Sequence, residues 1–172
     1  TVRHFYSVDS VLKLLDLMSL FKLNKFHWHG ADDEAFRFKL ADDYDIATST
    51  SKRGDGQLVP PVFGSGPGPI GGCYDLADIK RITDRASKNY IEVMPEFDLP
   101  GHNMSLLKLY PSMRDPEDQS FEVSVQGYSE NTLNPAMPDT SSILENVIDD
   151  LCKVFPGEYI HLGADEIAPG AW

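Results

Sequence analysis

The stretch Ile91-Glu92-Val93-Met94-Pro95-Glu96-Phe97-Asp98-Leu99-Pro100-Gly101-His102 decides the fold. Ile91 to Phe97 reads as a strand, with Pro95 tolerable only late in it or at an irregularity of the sheet. Pro100 and Gly101 force a turn that can bring His102 back beside Asp98 or a neighbouring strand end. Just before the strand, Ile79, Ile82 and Ala86 recur on one face of a helix from about Asp75 to Lys88, with Asp75 as its N-cap. After a loop, Ile143, Leu144, Val147, Ile148, Leu151 and Phe155 mark a second helix from about Thr140 to Phe155, and Tyr159–Gly163 follows as a strand. Toward the N-terminus, the aromatic, alternating Lys25–His29 is another strand. It is preceded by an amphipathic helix from Asp9 to Phe21, with Ser7 available as a cap and Asn24 beyond its end. Ala35–Leu40 is expected to add a small extra strand. Strands alternating with helices predict a parallel sheet with right-handed crossovers, an α/β fold.

The composition agrees. Apolar residues are 41% and charged residues 24% of the 172, a globular balance. Against 15 Lys and Arg stand 27 Asp and Glu, a net charge of −12 that argues against a nucleic-acid surface. No apolar run approaches the roughly 18 residues of a membrane span. There are 13 glycines and 12 prolines, and 11 of these fall between Gly54 and Gly72, so residues 41–72 are expected to form a long surface loop that packs no core. Cys73 and Cys152 sit at opposite poles of a βα repeat and are expected to be unpaired, partly buried thiols.

Polar residues collect in one kind of place. Arg3-His4, Asp32-Asp33, Asp98 with His102, and Asp165-Glu166 each follow a strand. In parallel α/β folds that is the face where active sites form, so the pattern predicts an enzyme. Adjacent carboxylates at a strand end diverge, and if one is desolvated it can serve as an acid while the other stays ionised. A histidine oriented by a carboxylate, as His102 would be, can hold or relay a proton. His27 and His29, spaced i and i+2 on a strand, point the same way and have the spacing of a metal-binding pair. The bland alternative is that these imidazoles are satisfied by hydrogen bonds inside a barrel.

Several stretches together resemble glycoside hydrolase family 20, the β-N-acetylhexosaminidases and chitobiases. They are Val2-Arg3-His4-Phe5, Leu23 to Glu34 (LNKFHWHGADDE), Ile91 to His102, and His161-Leu-Gly-Ala-Asp165-Glu166. Gly71-Gly-Cys-Tyr-Asp-Leu-Ala-Asp-Ile79 and Leu133-Asn134-Pro135 resemble the leads into two of the family's helices. The resemblance covers nearly the whole chain in order. It implies a TIM barrel that removes terminal N-acetylhexosamine residues with retention, chitooligosaccharides among them. The substrate's own 2-acetamido oxygen is the nucleophile in this scheme. By motif, Glu166 would be the general acid and then base, and Asp165 would hold the acetamido group. His102, partnered by Asp32, would tune Glu166, with Asp98 supporting that site. Arg3 would bind sugar hydroxyls, and His29 would join the substrate-binding set. No cofactor or metal is implied, and the partner is an N-acetylhexosamine-terminated oligosaccharide, with a secreted, periplasmic or lysosomal location. The chitooligosaccharide preference draws on the loop after Leu40 and the Ser-Val-Gln stretch at Ser124. Gly30-Ala31 replaces a bulkier pair, and Ala164 replaces a glycine, which is tolerable unless the backbone there needs φ > 0. Trp28 and Trp172 match no position of the family's acetamide pocket.

Two other functions stay open on the residues: a metal-dependent TIM-barrel hydrolase using His27 and His29 with Asp165, and a non-catalytic carbohydrate-binding relative. A closed barrel takes about 250 residues and eight strands. The sequence supplies four strand ends with their helices, so a partial (β/α)8 barrel is expected, without the C-terminal half of its domain. Taken alone, such a piece is expected to be insoluble or inactive.

Overall fold

The computed structural model describes residues 1–40, 46–60, 68–121, 123 and 127–172. Helix α1, Val8–Leu20, starts where the Ser7 hydroxyl accepts the Ser10 amide at 3.3 Å. Its buried stripe is Val11, Leu15 and Met18, narrower than the apolar pattern suggests, because Leu14, Leu17, Leu20 and Phe21 remain exposed. Strand β1, Lys25–Asp32, leads into the short β2, Ala35–Phe36, which folds back on it antiparallel with Ala31 opposite Phe36. The expected strand to Leu40 is thus cut short, and Phe38 makes only one parallel bridge, to Tyr74.

Within residues 41–72 the expectation of a coreless loop fails at both ends. Helix α2, Ile46–Thr50, buries Ile46 and Ala47 in the main core. Strands β3, Lys52–Arg53, and β4, Ile70–Gly71, pair antiparallel, and Val59 packs with Met104 and Tyr128. Ile46, Ala47 and Val59 decide this, because each packs against the rest of the domain. Residues 41–45 and 61–67, and the Ser124–Gln126 stretch, lie outside the described residues.

Helix α3, Leu76–Lys88, has the expected Asp75 cap, reciprocated by Asp78 in a capping box. Strand β5, Glu92–Leu99, follows, then two short elements that the sequence pattern did not reveal: helix α4, Met104–Leu109, and a 3₁₀ turn, Pro111–Met113. Helix α5, Pro138–Val154, leads to strand β6, His161–Gly163. The sheet order is β2-β1-β5-β6. β1 and β5 run parallel from Lys25 opposite Glu92 to Ala31 opposite Phe97, and β5 pairs parallel with β6 from Glu96 opposite His161. Pro95 stands opposite Trp28 in mid-strand, and the register irregularities come after it, between His29 and Ala31 and between Glu96 and Leu99. Thr1 bonds the His29 carbonyl through its amine at 3.3 Å and its hydroxyl at 3.1 Å, so Thr1–Arg3 lies along β1 without forming a strand. This is the α/β, partial-barrel arrangement that the alternation predicts.

The core centres on Trp28, 1% exposed, with Phe38, Tyr74 and Phe155 edge-on at 5.1, 4.9 and 6.0 Å. Beside it, the buried Arg37 guanidinium donates to the carbonyls of Val2, Ser51 and Gly72, joining three segments. No disulfide joins the two cysteines; Cys73 is half-buried as expected, but Cys152 is exposed on α5. No helix among the described residues is long and apolar enough to cross a membrane.

Candidate active site

The polar groups singled out in the sequence converge at the C-terminal ends of the parallel strands. Asp32 ends β1, Asp98 lies at the end of β5, His102 sits in the turn beyond it, and Asp165-Glu166 follow β6. The loops are held together by backbone. Gly163 has φ +64°, and a Cβ there would stand 1.8 Å from Asp98 Oδ1. A Cβ at Gly101 would come within 2.9 Å of the Asp165 carbonyl oxygen, so the two site loops touch where only glycine fits. Ala164, at φ +73°, occupies the left-handed region that a glycine would fill without strain. His102 at +54° and Glu166 at +50° share that conformation. Such residues cost of order 1–3 kcal/mol each and cluster at functional sites.

His102, 3% exposed, is the hub. Its Nε2 lies 2.9 Å from Glu166 Oε2 and its Nδ1 lies 3.1 Å from Asp33 Oδ2. Asp32 Oδ1 is farther, at 3.8 Å, so the expected His102–Asp32 pair is corrected to His102–Asp33. The reason is local: Asp33 turns toward α4, where it accepts the Met104 amide at 3.1 Å and the Asn131 side chain at 2.9 Å. Asp32 turns the other way, its Oδ2 taking Arg3 Nε at 3.1 Å and His29 Nε2 at 3.0 Å.

His29 therefore does not present a free ring nitrogen to substrate. Its Nδ1 bonds Glu96 and its Nε2 bonds Asp32, although its edge still lines a cleft of about 250 Å³ beside Arg3, His4 and Tyr6. Nor do His27 and His29 form a bidentate metal pair. His27 Nε2 faces Glu96 at 3.1 Å, and His161 Nδ1 reaches the same carboxylate at 3.0 Å. The side chains of Arg3 and Glu166 are 52% and 58% exposed.

These contacts set the protonation states. The bond to Asp33 raises His102 to about 9 despite the opposing effect of burial. Burial lowers His29, but its bonds to Asp32 and Glu96 overcome this and carry it to about 9. Asp98 is pushed up to about 7, first by burial and then by the charge of Asp165. Asp98, His102 and Asp165 place ligating atoms within 4.8 Å of one another. For Asp32 and Glu96, burial raises the carboxyl, yet the bonds from His29 prevail and leave both below their ordinary values.

A pH dependence of stability follows. Groups with raised values bind more protons folded than unfolded, so they destabilise the fold as pH rises. The contribution of His29 and His102 is complete below 6.5 and is lost as pH rises through about 9. Asp98 acts in the same direction, its contribution lost as pH rises through about 7. Asp32 and Glu96 act oppositely, losing their contribution as pH falls through their lowered values. The melting temperature of the full-length protein should be highest at about pH 4–5, decline as Asp98 loses its proton up to about pH 7, and fall further toward pH 9. Calorimetry across this range checks it, and His102→Gln should flatten the alkaline limb.

Glu96, His161 and Asn131 belong to the network but were not singled out from the sequence, and Asp33 stood out only as the neighbour of Asp32. Glu96 carried a usable signal, a carboxylate inside an otherwise apolar buried strand. Asn131 carried none, because it reaches Asp33 from 98 residues away.

Residues 1–172 match the family model described as glycosyl hydrolase family 20, catalytic domain. The chain is 34% identical over 171 residues to the beta-hexosaminidase of Vibrio furnissii, covering 99% of this chain and 28% of that protein. It is 29% identical over 172 residues to the human beta-hexosaminidase subunit beta, covering 100% of this chain and 28% of the relative. The GH20 exo beta-N-acetylglucosaminidase of Vibrio harveyi, solved in complex with N-acetylglucosamine, superposes with a TM-score of 0.91 at 34% identity, covering 99% of this chain and 27% of that one. The chain thus spans about 28% of the length of each of these two curated relatives.

Proposed function

The chain belongs to glycosyl hydrolase family 20, and from that premise we propose that the protein containing it hydrolyses terminal, non-reducing N-acetylhexosamine residues from β-N-acetylhexosaminides, with retention. Chitobiose and chitooligosaccharides are the substrates of choice for testing it. The observation that carries this reading is the pair of divergent carboxylates after β6, Glu166 bonded to buried His102 and Asp165 beside Asp98.

In the first step the substrate's acetamido oxygen attacks its own anomeric carbon. The bond to the leaving oxygen breaks as Glu166 gives that oxygen a proton. Asp165 accepts a hydrogen bond from the acetamido N–H and offsets the positive charge of the oxazolinium-like intermediate. Glu166, now a carboxylate, takes a proton from water, which opens the ring on the face from which the leaving group departed. Two inversions give retention. His102 serves both steps by holding the Glu166 carboxyl at 2.9 Å while Asp33 anchors its other ring nitrogen at 3.1 Å. Asp98, pushed up to about 7, lies beside Asp165 without adding a full second negative charge near neutrality. Arg3, at the open cleft, holds hydroxyls of the terminal sugar. A secreted, periplasmic or lysosomal location is part of this proposal, as are polymeric or conjugated sugar substrates.

The full-length protein should cleave an aryl N-acetyl-β-glucosaminide. It should cleave the 2-amino analogue, which has no acetamido oxygen to attack, roughly 10³-fold or more slowly, since an intramolecular nucleophile has been removed. Comparable cleavage of the two would end the substrate-assisted mechanism.

A further inference from the structure

Glu96 is the one carboxylate of β5 that faces three imidazoles. His29 Nδ1 bonds it, His27 Nε2 lies at 3.1 Å and His161 Nδ1 at 3.0 Å, and the His27 and His161 rings approach to 4.5 Å between centroids. It sits below the strand ends that carry Asp98 and Glu166, and it is 8% exposed. The mechanism above does not use it. From Glu96 a line of alternating charge runs upward: His29 bonds Glu96 on one side and Asp32 on the other, and Asp32 holds Arg3 Nε at 3.1 Å. Asp32 is buried, and the same Oδ2 atom accepts both His29 and Arg3, so displacing His29 displaces the acceptor that fixes the guanidinium. Arg3 itself is half-exposed and follows Thr1 and Val2, which are held by hydrogen bonds, Thr1 with the His29 carbonyl and the Trp28 indole and Val2 with Arg37, and by no strand pairing. A long side chain on such a segment has many rotamers to lose on binding a sugar, and a fixed acceptor reduces that loss.

We propose that Glu96 is a positioning residue for substrate binding, acting through His29 and Asp32 to hold Arg3 in the geometry that receives the terminal sugar. His27 and His161 complete the arrangement by keeping Glu96 in place. The proposal rests on the reading of Arg3 as a sugar-binding group.

The test is a double-mutant cycle in the full-length protein. Glu96→Gln keeps the size of the side chain but removes its charge, and Arg3→Lys keeps the charge but removes the planar donors that Asp32 fixes. Glu96→Gln alone should raise KM for the aryl N-acetylglucosaminide about tenfold with kcat little changed, the mark of lost binding shared by ground and transition states. In the Arg3→Lys background the same change should add less than about twofold to KM. Equal effects of Glu96→Gln in both backgrounds, or no effect of Arg3→Lys on KM, would overturn the proposal. A second measurement does not depend on activity. Nitrogen-15 NMR of the imidazoles should find His29 doubly protonated at pH 7, and neutral or in mixed states in Glu96→Gln. A His29 ring insensitive to Glu96→Gln would overturn the proposal as well. Absence of turnover by the unsubstituted protein would instead bring down the proposed function, and the NMR result alone would then decide whether Glu96 governs His29.

Discussion

Glu166→Gln in the full-length protein is expected to lower kcat for chitobiose by about 10²–10⁴-fold, the range assigned to a positioned general acid and base. The glutamine keeps the outline of the side chain and can still accept the His102 Nε2 bond, now made at 2.9 Å, so the loop geometry survives. It has no proton to give. With the side chain 58% exposed, the stability cost should stay within about 0.5 kcal/mol, which separates a chemical loss from a folding loss. The effect should depend on the leaving group. A sugar hydroxyl leaves only when protonated, whereas an activated aryl oxygen leaves with little help, so the aryl substrate should lose less in the first step than chitobiose does. Steady-state kinetics on both substrates checks this. Near-wild-type turnover of chitobiose would end the assignment of Glu166.

Asp165→Asn should cost about 10²–10³-fold in kcat, the scale of removing one preorganised charge from a developing ion. Substrate dependence again distinguishes the role from a general disturbance. If Asp165 works on the acetamido group, the mutation should cost little more on the 2-amino analogue, which lacks the group, than the analogue already loses. Additive losses would place Asp165 elsewhere in the reaction. A pH signature accompanies the kinetics. The charge of Asp165 is one of the causes that hold Asp98 at about 7, after burial, so asparagine at 165 should move the Asp98 titration downward. Carboxyl carbon NMR of Asp98 in the two forms measures that shift.

What the sequence made legible depended on the range of the interactions. Helices α1, α3 and α5 were read within a residue or two, because capping and periodicity are local; Ser7 and Asp75 cap where they were expected to. The strand-end clustering of Asp32, Asp98, His102, Asp165 and Glu166 was legible because alternation alone puts loops at one pole of a parallel sheet. The partner of His102 was not. Asp32 and Asp33 are neighbours of the same type, and only the arrival of α4 and Asn131 from elsewhere in the chain decides which of them turns inward. The same holds for His29. An i, i+2 pair on a strand shares a face in either reading, and the carboxylates that occupy its two nitrogens come from Asp32 and from β5. Ala164 shows a different limit: composition cannot reveal that its position needs φ +73°, since that follows from the close approach of β6 to Asp98.

The Arg37 clamp has a consequence for how this domain can vary. Its guanidinium grips the carbonyls of Ser51 and Gly72, and the Gly72 amide bonds the Ser51 carbonyl at 3.0 Å. The chain therefore leaves the barrel and returns to it through a single closed collar. Between the two stems the chain is still tied to the site, since Arg53 donates to the Arg3 carbonyl at 2.6 Å and Val59 packs with Met104 and Tyr128. For a closed loop the entropic cost of length grows slowly, about 0.6 kcal/mol for each doubling. Added length in this excursion therefore costs little, and a grafted segment spares the strand ends where it leaves Arg53 and Val59 in place.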